Sequence, residues 1–276
     1  MILKYVSSKG TEFDLKTKGA LRARSADLHT YAWEPDVTIL QYGTRVNRFR
    51  KSPSAYTMQL DVDGTLEEKM SRLNSLHAAF DEDIHNKTPG MMVHGNYYVK
   101  CYMIASSTFA ENPYTTNEVT VYCPYPFWIR DNTWTFAKQE STAAANQYLD
   151  FDFDFPYDFA SDQTGQGMIR NDGSGKANYQ LTVYGGCTNP YIMVDGRMIG
   201  VNTVLGSTEY MVIDSRDNTV IRVTNSGEKI NLYNNRIKTG VSIFDQIEPG
   251  THTVIWPGTF GFDLTIFEER SEPAWS

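Results

Sequence analysis

The sequence predicts a mainly β protein built of two domains. At 276 residues the chain has reached the length at which single hydrophobic cores stop growing and proteins divide. It is rich in tyrosine (17) and phenylalanine (14), which favour strands over helices. Its second half alternates short strand-like runs with turn residues, a pattern typical of an antiparallel sandwich. We therefore expect a first domain over residues 1–138 with one helix, and a jelly-roll-like β-sandwich over 139–276 that begins with a linker-like stretch, 139–149.

Composition and charge exclude several classes of protein. With 41% hydrophobic and 21% charged residues, the chain is typical of a folded protein. Its net charge of −8 provides no overall positive surface for nucleic acid or anionic lipid. No apolar run approaches the ~20 residues of a membrane span, and the N-terminus lacks the pattern of a signal peptide. We therefore expect no nucleic-acid sequence recognition, no membrane insertion, and synthesis in a cytoplasm.

The first half begins with strand signals. Residues 2–6 and 12–15 flank a glycine-containing turn and predict a hairpin, whereas residues 19–36 are expected to be irregular. Short strands are expected at 37–40 and 47–49. A longer strand at 55–62 alternates apolar and polar side chains, which predicts one buried face.

One helix is predicted at about 65–80. Thr65 and Glu68 form a T-x-x-E capping box, in which each side chain satisfies a free backbone N–H of the first turn. An apolar stripe at helical spacing is expected to pack on a sheet, and it consists of Leu66, Met70, Leu73, Leu76 or His77, and Phe80.

Three further strands are expected after this helix, at 91–93, 97–105 and 118–122, and the first two form a hairpin. An aspartate repeat between residues 150 and 158 resembles the start of a calcium-binding loop. Phe155 occupies the position of the required glycine and Ser161 that of the chelating glutamate, which argues against calcium. We interpret the repeat as a half-buried strand with an aromatic face.

About eight strands are predicted beyond residue 165. Asp195-Gly196 is a two-residue hairpin signal between two of them. The predicted strands are 168–171, 178–184, 191–194, 197–201, 209–214, 220–223, 251–256 and 260–268.

Motifs for catalysis, nucleotides and metals are absent from the sequence, so we expect no enzyme activity, no cofactor and no metal. The three cysteines form no CxxC pair and are expected to be small buried side chains. Tyr191, Tyr210 and Trp256 could stack on a sugar if exposed, although aromatics on sandwich strands usually belong to the core or rim. Carbohydrate binding through the second domain is therefore the alternative function.

Ordered motifs over nearly the whole chain resemble those of the siphophage distal tail protein (Dit) family. In the first half they are the strand 56–62, the helix 65–80, the Pro89-Gly90 turn, the run 97–103 and Pro126-Phe127-Trp128. In the second half they are the FDFPYDF segment 153–159, Asn189-Pro190, the run 209–214, the Glu248–Gly250 turn and the closing run 267–270.

This resemblance implies a structural virion protein at the tail tip. The N-terminal domains, each a β-sandwich with a helix and a protruding hairpin or arm, would close a hexameric ring. A galectin-like C-terminal domain would project from the ring. The ring would join the tail-tube protein to the tail-associated lysin or hub protein and carry receptor-binding proteins, in a tail assembled in the bacterial cytoplasm. No large insertion interrupts the second domain, which argues against a separate sugar-binding module inside it.

For such a ring, we expect interface residues in three places. The first is the basic run Arg45, Arg48 and Arg50, which could also be a solvated strand face or a phosphate site. The second is the loop 81–89, with Asp81, Asp83 and His85, and the third is the stretch 20–35. Exchanging Arg48 and Arg50 for glutamate is expected to block assembly.

Overall fold

A computed structural model describes residues 3–15, 20–111, 114–139 and 164–274. It divides the chain into two compact units. Unit 1 comprises Met1–Arg130 and Glu269–Ser276, and unit 2 comprises Asp131–Glu268. Apart from Gln139, the predicted linker and the aspartate repeat lie outside the described residues. The predicted domain boundary stays a prediction.

The described part of unit 1 contains nine strands, the beginning of a tenth and one helix. In chain order they are β1 Leu3–Val6, β2 Glu12–Asp14, β3 Leu21–Ala26, β4 Glu34–Ile39, β5 Thr44–Arg50, β6 Ser54–Val62, α1 Leu66–His85, β7 Gly90–His94, β8 Tyr97–Glu111, β9 Tyr114–Cys123 and β10 Trp128–Phe136.

Unit 1 is a β-sandwich-like fold in which one long strand serves two sheets. The first part of β8 pairs with β7, which continues to β1 and β2, and the second part pairs with β9, which continues to β6 and β3. The change of partner falls between Cys101 and Tyr102, and a register shift between Met103 and Ala105 follows near the start of the second part. Both sheets contribute to one core, with Tyr5 and Val99 from one side and Met58 and Val121 from the other. The predicted alternation in β6 is confirmed, because its apolar side chains are buried.

The helix is capped as predicted but is longer and faces a different way. Thr65 and Glu68 form the complete capping box, and the helix continues to His85. Leu76 and Phe80 enter the core, whereas Leu66 is 75% exposed and Met70 is also exposed. The predicted apolar stripe is therefore wrong at its N-terminal end. The buried side is completed by Lys69 and Asp83, which sequence periodicity treats as solvent-facing.

The described part of unit 2 contains the rest of β10 and eleven further strands. They are β11 Gly165–Asn171, β12 Asn178–Tyr184, β13 Cys187–Thr188, β14 Tyr191–Val194, β15 Arg197–Gly200, β16 Val204–Leu205, β17 Tyr210–Asp214, β18 Thr219–Val223, β19 Lys229–Asn231, β20 Gly250–Trp256 and β21 Phe262–Arg270, the last of which ends in unit 1.

Two antiparallel sheets enclose the core of unit 2. One has the order β19-β18-β17-β12-β21, and the other has the order β11-β20-β14-β15. Leu181 and Leu264 of the first sheet share one apolar cluster with Ile192 and Val254 of the second. The β14–β15 hairpin turns at Asp195-Gly196, both with positive φ, as the sequence predicts. The predicted fold class, mainly β with two sandwiches and one helix, is confirmed.

Besides the helix, the sequence prediction misses β10 altogether and fails over residues 19–36 of unit 1. Residues 19–36 were expected to be irregular, yet β3 and the start of β4 lie there. In β3 the side chains Arg22, Arg24 and Ser25 hide the strand pattern, because this strand pairs only with β6 among the described residues and keeps one open edge.

The three cysteines are buried free thiols, as expected.

No helix among the described residues is long and apolar enough to cross a membrane.

Candidate functional site

The strands β4 and β5 form a hairpin that pairs with no other described strand. All seven residues of β5 are exposed, and β4 is exposed except for a half-buried Asp36. At the tip, Ile39 is 82% and Tyr42 is 88% exposed. An isolated two-stranded hairpin is only marginally stable, so such a pair is usually covered by other structural elements. This hairpin is the main element of unit 1 that the described residues leave uncovered.

The two faces of this hairpin differ in chemistry. Cross-strand partners lie on the same face of a pair. The pairs Pro35–Phe49, Val37–Val46 and Ile39–Thr44 make one face apolar, and the pairs Glu34–Arg50, Asp36–Arg48 and Thr38–Arg45 make the other polar. A register shift between Asp36 and Val37 accommodates one extra residue, Asn47, so the alternation holds along both strands. The hairpin is therefore amphipathic although neither face is covered.

The arginines of the predicted interface lie on the polar face. Asp36 accepts a bond of 2.8 Å from Nε of Arg48 and a longer one, 3.3 Å, from Nη2 of Arg50. Arg45 has no ion-pair partner among the described residues. Exposed pairs of this kind contribute little stability, so the arginines remain available for other contacts.

At the base of the hairpin, Lys51 is surrounded by aromatic rings. Its Nζ lies 4.6 Å from the ring centroid of Phe127, 5.6 Å from that of Tyr31 and 5.9 Å from that of Trp33. The same ammonium donates to the backbone carbonyl of Ser271 at 3.2 Å. Burial lowers the pKa of Lys51, yet the ring faces and the carbonyl favour its cation.

Two further hydrogen bonds strengthen this aromatic base. Nε1 of Trp33 donates to Oγ of Ser271 at 3.1 Å, and the Tyr125 hydroxyl donates to Glu269 at 2.7 Å. Burial, followed by the bond to Glu269, raises the pKa of Tyr125. The free hairpin therefore starts from a fixed base.

The second predicted interface region was expected to be a loop over 81–89, but residues 81–85 form the last turn of α1, which corrects that prediction. Its residues separate into buried and exposed ones. Asp83 is only 1% exposed, and its carboxylate accepts from the Tyr5 hydroxyl and from the backbone N–H of Ser8. Burial and Asp83 both raise the pKa of Tyr5. Asp83 therefore has no surface to offer a second chain, and its role is inside unit 1. Asp81 and His85 are exposed, and Nδ1 of His85 lies 2.7 Å from the backbone oxygen of Asp81.

The three aromatics considered for sugar stacking are not brought together. Trp256 is 3% exposed, and its ring lies edge-on to Phe136 and Phe262 in the core of unit 2. It cannot stack on a sugar, so this residue prediction is corrected. Tyr191 and Tyr210 are accessible but lie in different sheets.

Unit 2 has a polar surface pocket of about 590 Å³ beside the Asp195-Gly196 turn. His252 fixes its wall, with Nδ1 at 2.6 Å from the Asp195 carboxylate and Nε2 at 2.7 Å from the carbonyl oxygen of Glu248. The hydrogen bond between the His252 ring and the Asp195 carboxylate is the main cause of the lowered pKa of Asp195. The remaining lining consists of Lys176, Val194, Arg197, Phe244, Asp245, Gln246 and Ile247. No exposed aromatic platform lines the pocket, which makes it unlike a sugar site.

Within the part of the chain that the structure describes, no three metal-ligating side chains come together.

Sequence reasoning identified the arginines of the hairpin but missed its apolar face. Val37, Ile39, Val46 and Phe49 are ordinary strand residues, and nothing in their pattern shows that no sheet covers them. The one sequence signal of the hairpin was Gly43, which lies between two short strand-like runs. In the structure Gly43 has a positive φ and closes the tight turn between β4 and β5.

Comparison with solved structures identifies the fold. The chain is similar to the Dit protein of SPP1, described as a paradigm of the hub adsorption apparatus in phages that infect Gram-positive bacteria. The TM-score is 0.61 at 11% identity, over 98% of this chain and 100% of that one. A chain of the phage P2 baseplate in its activated conformation with Ca gives a TM-score of 0.63 at 13% identity, over 99% of this chain and 100% of that one. A chain of the phage p2 baseplate in its activated conformation with Sr gives a TM-score of 0.63 at 12% identity, over 99% of each chain.

No protein-family model and no curated protein matches the sequence. At these low identities the likeness establishes the fold. The chain has a Dit-like fold, as the ordered motifs predict.

Proposed function

We propose that this chain is a structural virion protein that forms a hexameric ring at the distal end of a phage tail. The observation that carries the proposal is the likeness over nearly the full chain to proteins of a hub and a baseplate. Fold alone does not assign a function, so the residues of unit 1 have to support it.

The amphipathic hairpin provides that support. A monomeric protein rarely leaves an apolar strand face uncovered on an anchored element, because contact with water costs free energy. A contact between two different surfaces of identical chains repeats until it closes a ring or continues as a filament. The hairpin with its fixed base is an element that such a contact can use.

In this role the ring joins the tail-tube protein to the hub or tail-associated lysin and carries the components that adhere to the host. The protein acts by binding other proteins and not by catalysis. Its location is the tail tip of the virion, after synthesis in the host cytoplasm.

The proposal is tested by measuring the mass of the purified chain in solution over a range of concentrations, with negative-stain images of the same sample. A six-fold ring is the expected result. A chain that remains monomeric at all concentrations contradicts a self-assembling ring. Binding of a defined glycan by the full chain on an array would favour the alternative function, for which Tyr191 and Tyr210 are the accessible aromatics.

A further inference from the structure

The helix α1 carries an apolar stripe along the edge of its exposed side. Leu66, Met70 and Ile84 are exposed, and Leu73 and His77 between them are half-buried, with Leu73 against the core of unit 1 and His77 against Phe80. At ~100° per residue these five positions fall within about 60° around the helix axis. The buried side, with Leu76 and Phe80, is centred about 80° away.

This stripe and the apolar face of the hairpin match in extent. From Leu66 to Ile84 the helix rises about 27 Å at 1.5 Å per residue. The six residues of β4 span about 20 Å at 3.3 Å per residue. A two-stranded ribbon can therefore lie along most of the stripe, and the two surfaces differ in shape, as a contact that closes a ring requires.

Their charges are complementary in sign. The helix has five acidic and two basic residues, and Glu67 and Asp81 flank the stripe without an ion-pair partner among the described residues. The hairpin strands have three arginines and two acidic residues, and Arg45 is without an ion-pair partner in the same part of the chain. The arginines lie on the face of the hairpin opposite the apolar one. Opposite charge therefore favours the approach of the two elements and disfavours helix-to-helix pairing, and the contact itself is apolar.

We infer that the stripe on α1 is the docking site for the β4–β5 hairpin of a second copy of this chain. The inference rests on the proposed ring and names its contact. Each copy gives a hairpin to one neighbour and accepts a hairpin from the other.

Two variants separate the two halves of this contact. Ile39→Asp places a charge on the hairpin face, and Met70→Glu places one on the stripe while keeping a good helix former. Both positions are exposed, so both variants are expected to fold with a melting temperature close to that of the parent. Val204→Asp, at an exposed aliphatic position of unit 2, is the matched control.

The masses of the single variants and of their mixture test the inference. Each variant alone is expected to be monomeric under conditions in which the parent chain and Val204→Asp form rings. An equimolar mixture of Ile39→Asp and Met70→Glu is expected to give a dimer and no ring, since one intact hairpin meets one intact stripe.

The contrary outcomes are distinct. If Met70→Glu forms rings like the parent, the helix is not the docking site, and the ring itself stands. If only Phe109→Asp, at an exposed aromatic side chain of β8, blocks assembly, the hairpin docks on β8 and the inference is wrong. If the parent chain never assembles, the proposed ring is wrong as well.

Discussion

The ammonium of Lys51 lies 4.6 Å from the centroid of the Phe127 ring and donates to the backbone of Ser271. This places a cation where the chain leaves the free hairpin and enters the body of unit 1. The position of the hairpin therefore depends on one side chain with several partners.

Replacing Lys51 by alanine is expected to loosen the hairpin without unfolding unit 1. Loss of the cation–π contacts and the hydrogen bond should cost about 1–2 kcal/mol. Hydrogen exchange of the β4 and β5 amides is expected to accelerate, while that of β6 stays unchanged. Lys100→Ala, at an exposed lysine of β8, is the control, and equal exchange in both variants would contradict the anchoring role.

The buried Asp83 gives a larger stability prediction. Asp83→Ala removes the acceptor of the Tyr5 hydroxyl and the Ser8 N–H, which should lower the stability of unit 1 by about 3 kcal/mol. Urea unfolding followed by exchange of the α1 amides measures this. Asp81→Ala, two residues earlier on the surface, is expected to change stability by less than about 0.5 kcal/mol. Similar losses in both variants would rule out a special role for Asp83.

Trp256 allows a test of the alternative function. Because its ring fills the core of unit 2, Trp256→Ala is expected to cost about 3–5 kcal/mol in unfolding free energy. Tyr210→Ala, on an accessible strand position, should cost about 1 kcal/mol or less. Thermal unfolding of both variants compares them. A stable Trp256→Ala protein that has lost glycan binding would instead identify Trp256 as a ligand contact.

The acid sensitivity of unit 2 is expected to depend partly on Asp195. Its pKa is lowered in the folded state, chiefly by the bond to His252, so its contribution is present above the unfolded value near 3.8 and is lost as the pH falls through the folded value. Asp195→Asn is expected to reduce stability at pH 7 and to flatten the decline below about pH 4. Urea unfolding at a series of pH values from 7 to below about 4 measures how steeply the free energy of unfolding declines with falling pH. Asp217→Asn, at an exposed turn position, should decline like the parent, and an equally steep decline in Asp195→Asn would contradict this role.

The sequence predicts most of the fold because its core strands have clear periodicity. Alternation at 55–62 and the Asp195-Gly196 turn each have a local cause, and both are found as expected. The N-terminus of the helix is predictable for the same reason, since Thr65 and Glu68 act within one turn.

The candidate site is less predictable because exposure is not a local property. Leu66 and Met70 have the spacing of core residues, and Asp83 has the polarity of a surface residue, yet the structure reverses both assignments. Which side of α1 is buried depends on Tyr5, which is 78 residues from Asp83 in sequence. The amphipathic hairpin poses the same problem, because nothing near it in the sequence shows that it stands alone.

Unit 1 is built from two segments of the chain that are separated by the whole of unit 2. This arrangement determines when its parts become available during synthesis. All of unit 2, residues 131–268, is synthesised before Glu269 and Ser271 are added. The partners of Tyr125, Trp33 and Lys51 are thus made after the whole of unit 2. The hairpin can reach its final position only once Ser271 is present. Chains that stop before Glu269 would then present a loose hairpin, which would bias them against joining neighbours and keep incomplete subunits out of the assembly.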